Sequence, residues 1–162
     1  MNDDLACWLP GLICLRDYDG DWDRYVTALY ERFRADFILS TPQTLSPKRW
    51  GIKRYPIVRG CEATFWHLIS SGDIEEDRLP DLRRCERIGW PRALIDALGT
   101  TAVHSWTTKK RNELRVQIAL PDFSYIVSIA DRGEYVLLWT AFCVEHEHQR
   151  RKYRQEYEHS KS

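Results

Sequence analysis

The densest collection of groups able to do chemistry lies in Gly60–Arg92, which reads GCEATFWHLISSGDIEEDRLPDLRRCERIGWPR. One histidine, His67, sits inside an aromatic-apolar run, and Arg78, Arg83, Arg84, Arg87 and Arg92 then crowd into fifteen residues. An imidazole exchanges protons near neutral pH, and guanidiniums hold phosphate oxygens, so the combination suits chemistry on a phosphate ester. Each part has a plainer use as well. His67 fits a hydrogen-bonded interior histidine, and the arginines fit a solvated helix face paired with Asp77, Asp81 and Glu86.

Other candidates are weaker. Lys109, Lys110 and Arg111 form a charged hairpin tip between two strands, a shape that also grips phosphates. His146 and His148 share a face if the EHEH stretch is extended, but no second ligand cluster accompanies them, so no metal and no cofactor are expected. The five cysteines, Cys7, Cys14, Cys61, Cys85 and Cys143, are odd in number with no CxxC pair, which reads as reduced thiols in a cytoplasmic protein. Twenty-four basic and twenty-four acidic residues cancel, which excludes a global polycation and leaves only local basic surfaces. The opening residues MNDDLACWLPG lack a basic segment followed by a long apolar one, so neither a signal peptide nor a membrane span is expected.

These groups need a scaffold. A hydrophobic content of 43% with 12% aromatics is enough for a core and argues against disorder. Residues 1–162 read as a single domain with a helical part over 1–59, a central part over 60–144 and a charged tail over 145–162. Trp22, Val26, Leu29, Phe33 and Phe37 recur at helical spacing across 21–38, with Tyr25 and Tyr30 beside them and Asp19 or Asp21 as cap. Residues 40–50 read as a turn-rich loop, and Ile52–Arg59, carrying Pro56, as a short extended edge segment. Pro80 suits the start of a helix with the stripe Leu79, Leu82, Cys85, Ile88 and a second face carrying Arg84 and Arg87. Pro91 starts another helix, which Gly99 can close.

From 101 onward the period becomes two. Leu114–Leu120, Phe123–Ala130 and Glu134–Val144 alternate as half-buried strands, and Thr101–Trp106 is a fourth. Opposing Ala130 to Glu134 across the Asp131-Arg132-Gly133 turn sets Ser128 against Val136 and Ser124 against Thr140. Thr140 then shares a polar face with Arg115, Gln117, Ser124 and Ser128, while the other face is apolar and faces helices. The expected fold is therefore α+β, an antiparallel sheet of about four strands in the C-terminal half with helices packed on one face. The tail from Glu145 reads as a solvated helix.

The order FWHL, DLRRCERIGWPR, charged hairpin, alternating strands and LWTAF resembles a phage-associated branch of the Barnase–EndoU–Colicin–RelE nuclease superfamily. The resemblance runs from about Gly60 to Val144. It implies helices on a curved antiparallel sheet and a metal-independent ribonuclease site on the exposed sheet face. It further implies catalytic roles for His67, Arg84, Arg87 and Thr140, with Arg83, Lys109, Lys110, Arg111 and Arg115 binding substrate. Phe142 stands where related members carry tyrosine, and for the family's second histidine only His104 is central enough.

The expected activity is cleavage of RNA by its own 2′-hydroxyl, leaving a 2′,3′-cyclic phosphate, in a toxin-like effector of phage or mobile-element origin. RNA would be the partner, together with a neutralising antitoxin or immunity protein. Two alternatives stay open: an inactive relative that binds RNA or a protein, and a phage accessory protein whose arginines only make ion pairs.

Overall fold

The structure, a computed structural model, describes residues 7–161. Residues 1–6, which carry part of the expectation about targeting, lie outside the described residues. None of the described helices is long and apolar enough to cross a membrane.

Helix α1 runs Trp22–Phe37 and begins where the Asp21 carboxylate accepts from the Arg24 amide. Its buried row is Tyr25, Leu29, Phe33 and Phe37, spaced by four. Tyr25 replaces Trp22 and Val26 in the expected stripe because its hydroxyl has a partner inside, the Ile13 carbonyl at 2.7 Å. Strand β1 is Arg49–Gly51 and pairs in parallel with a C-terminal strand. The edge pairing therefore falls just before Ile52–Arg59, within the stretch expected to be loop.

Helix α2 is Ala63–Leu68, followed by the two-residue strands β2 (Ser70–Ser71) and β3 (Leu79–Pro80). Helix α3, Leu82–Glu86, starts after Pro80, because Asp81 accepts from the amides of Arg83 and Arg84 and is the stronger cap. Only Cys85 and Ile88 of the expected stripe are buried; Leu79 and Leu82 face solvent. Helix α4 is Trp90–Asp96 with Pro91 in its first turn.

Strands β4 (His104–Lys110), β5 (Glu113–Ala119), β6 (Tyr125–Asp131) and β7 (Tyr135–Cys143) form an antiparallel meander, and the sheet order is β1-β7-β6-β5-β4. An α+β architecture with a mostly C-terminal antiparallel sheet is thus what the chain adopts, enlarged by β1 to five strands. Strand β4 lies later than expected: Lys109 and Lys110 are strand residues, and the turn is Arg111-Asn112, both at positive φ as two-residue hairpins require.

The β6–β7 register differs from the expected one in two ways that offset each other. Asp131 opposes Val136, a slip of three residues that alone would turn Thr140 to the helix side. A bulge at Trp139 then inserts one residue, so Ser128 opposes Thr140 while Ile129 opposes Leu138. Thr140 ends on the polar face after all. The opposite face carries Ile118, Val127, Ile129 and Leu138 and joins α1–α4 in the main core.

Helix α5, Glu147–Ser160, is more than a solvated tail. Tyr153 and Tyr157 pack on a second cluster of Trp106, Phe123, Ile126 and Val144 on the other side of the sheet. Trp106 Nε1 donates to the Glu156 carboxylate at 3.3 Å, and Arg150 Nε to the Val144 carbonyl at 2.8 Å. The charges that make this segment look solvated lie on its outer side and at its edges.

Candidate active site

Helix α2 is short and held at both ends by groups from elsewhere. At its start the amides of Ala63 and Thr64 donate to the carbonyls of Arg54 and Lys53, at 3.1 and 3.0 Å. Thr64 Oγ1 also accepts from the Lys53 amide at 2.7 Å. At its end Arg78 donates to the carbonyls of His67, Ser70 and Gly72, and Arg84 donates to those of His67 and Ser70. Unpaired carbonyls and the negative end of the helix dipole explain why two cations gather there. Among the described residues, the sole carboxylate within ion-pair range of Arg84 is Asp81 at 3.8 Å, and Arg78 has no ion pair.

The His67 ring is half-buried and faces a cleft of about 280 Å³. Lys53, Trp66, Glu75 and the bulged Trp139 help to line it. Burial, and then the charges of Arg78, Arg84 and Lys53, push the His67 pKa down to about 4. The imidazole is therefore uncharged at neutral pH, with one ring nitrogen free to accept a proton. A larger and more open hollow lies beside α1 and α4, but its Arg32 and Arg92 are committed to Asp36 and Asp96 at 3.0 Å each.

Of the residues named from sequence, the structure brings together His67 and Arg84. Arg84 acts there through the backbone of α2 and through its charge. Arg87 is elsewhere: its guanidinium lies 5.0 Å over the Trp90 ring and bonds the Arg83 carbonyl. Arg83 pairs with Glu145 at 2.7 Å. Thr140 lies on the sheet face opposite α1–α4 and does not line the cleft, so the expected concave site joining it to His67 and to Arg84 or Arg87 is not formed. The reason is topological, since α2 and α3 pack on the apolar face.

Arg115 is bound to Glu113 at 2.8 Å and lies 4.5 Å over the Trp139 ring on the polar face. Lys109, Lys110 and Arg111 are exposed at the tip of the β4–β5 hairpin. Strand β4 is three positions from β7, about 14 Å at ordinary strand spacing, so this tip stands apart from the cleft. His104 is also on β4, stacked 5.3 Å from Phe123 and 4.4 Å from Tyr157. His146 and His148 stack at 5.6 Å, and no group of three or more possible metal ligands occurs among the described residues.

Lys53, Trp66, Glu75 and Trp139 help to line the cleft and were not among the site residues named from sequence. Trp66 and Trp139 adjoin named residues in FWHL and LWTAF, which was a usable signal. Lys53 lies in a loop and Glu75 in a three-residue 3-10 turn, neither long enough to show a period, and they gave none.

Set against known protein families, curated proteins and solved structures, the chain matches none. The resemblance to the nuclease superfamily accordingly rests on the order of its motifs.

Proposed function

We propose that the chain is an endoribonuclease that cleaves RNA through attack of the 2′-hydroxyl, with His67 as general base and a 2′,3′-cyclic phosphate as product. The observation that carries this reading is the His67 cleft. It combines an uncharged imidazole, a lysine, two aromatic walls and two guanidiniums behind the ring. A positioned base contributes roughly 10²–10⁴-fold, and preorganised positive charge stabilises the added charge of a phosphorane. Arg78 and Arg84 spend their donors on carbonyls and so act as a fixed field around the phosphate. Internal 2′-hydroxyl attack needs only proton transfer and charge stabilisation, so cleavage is expected to persist in EDTA.

The exposed basic tip of the β4–β5 hairpin would hold outlying phosphates of the same RNA. A ribonuclease active in its own cytoplasm would require a neutralising protein, in keeping with a toxin-like role.

A second reading is an RNA-binding protein that does not cleave. The removal of Arg87 and Thr140 from the cleft favours it. Incubation of purified chain with single-stranded RNA separates the two. The nuclease reading expects cyclic-phosphate ends, lost in His67→Ala with RNA affinity nearly unchanged. RNA left intact by folded wild-type protein would favour the binding reading.

A further inference from the structure

We propose that Lys53 is the second proton-transfer group of the His67 cleft, the acid that protonates the departing 5′-oxygen of RNA. This inference rests on the ribonuclease reading and supplies the partner that reading lacks. Cleavage needs one group to remove a proton and another to deliver one. His104, the sole second histidine suggested by sequence position, is on the far strand β4 and stacked between aromatic rings.

Lys53 enters the cleft from the segment between β1 and α2, and its backbone is fixed. Its amide donates to Thr64 Oγ1 at 2.7 Å, and its carbonyl accepts from Thr64 Oγ1 at 3.2 Å and from the Thr64 amide at 3.0 Å. Thr64 precedes His67 by three residues, so both occupy one side of α2. This places the lysine against the same cleft wall as the imidazole, and both line the hollow. Lys48 is tied to Asp131 at 2.7 Å, whereas Lys53 has no ion pair among the described residues. An exposed ammonium on a flexible stem with an anchored backbone can follow a leaving oxygen.

The step balances without a further reactant. A His67 ring nitrogen takes the 2′-hydroxyl proton while that oxygen's electron pair forms the bond to phosphorus. The bond from phosphorus to O5′ breaks with its electron pair on O5′, which takes a proton from the Lys53 ammonium. The products are a 2′,3′-cyclic phosphate and a 5′-hydroxyl. Imidazolium and neutral amine remain, and water carries the proton from one to the other.

The test compares two substrates: an oligoribonucleotide, and uridine 3′-(4-nitrophenyl phosphate), whose nitrophenolate departs without being protonated. Lys53→Ala and Lys53→Arg should slow RNA cleavage by about 10²–10⁴-fold yet slow the nitrophenyl ester by less than about tenfold, because only the former needs the acid. His67→Ala should slow both. The bonds to Thr64 use the backbone of residue 53, so both Lys53 variants keep them, and circular dichroism checks that they fold. Equal losses on the two substrates would make Lys53 a binding charge and overturn the inference. So would full RNA cleavage by Lys53→Arg or Lys53→Ala, with the ribonuclease reading left standing. Wild-type protein that cleaves neither substrate would overturn both.

Discussion

Arg78 and Arg84, six residues apart in sequence, both donate to the carbonyl oxygen of Ser70. Two guanidiniums on one acceptor repel each other, and they remain because each also bonds the His67 carbonyl at the end of α2. The same two charges help to hold the His67 ring uncharged.

Arg84 should matter to stability as well as to chemistry. Arg84→Met removes two charge-assisted bonds from the end of α2 and should cost about 2–3 kcal/mol, read from chemical denaturation. An unchanged midpoint would mean that its bonds to the backbone are not made in solution.

The depressed pKa of His67 sets a pH dependence of definite sign. Between about 4 and the ordinary 6.5 the unfolded chain binds this proton and the folded chain does not. Stability from this group is therefore complete above 6.5 and is lost as pH falls toward 4. Wild-type protein should lose more stability than His67→Gln between pH 7 and pH 4.5, and NMR titration should follow the imidazole directly. An imidazole that titrates near 6.5 would show the ring to be outside this field.

Thr140 and Arg87 are expected to be dispensable for cleavage. Thr140→Val and Arg87→Ala should retain RNA cleavage within about tenfold of wild type, since neither contributes a proton-transfer group. A loss as large as that of His67→Ala for either would restore the single-site arrangement expected from sequence.

Removing the tail tests its packing. A chain ending at Glu145 would expose Trp106, Phe123 and Ile126, which Tyr153 and Tyr157 help to cover. It should melt earlier and bind an apolar dye, as newly exposed aromatic surface does. Unchanged melting would return the tail to the role of a solvated helix.

The sequence by itself determined the element types and the two faces of the sheet. Alternation over β5, β6 and β7 separates Ile118, Val127 and Ile129 from Gln117 and Ser128 as two faces, although β6 is buried on both because α5 covers part of the second. It also singled out His67, because a lone imidazole in an apolar run is rare enough to notice. Local pattern could not supply the position of the bulge at Trp139, the parallel pairing of β1 or the docking of α5, because each depends on partners far along the chain. The cleft is of the same kind. Arg84 and Arg87 share a helix face in sequence terms, yet one meets the end of α2 and the other the ring of Trp90. Lys53 lines the same cleft as His67 with its backbone bound by Thr64, eleven residues along the chain. Which charged groups meet was decided by how the short helices dock on the sheet, since side-chain chemistry states what a residue can bind and tertiary packing states what is within reach.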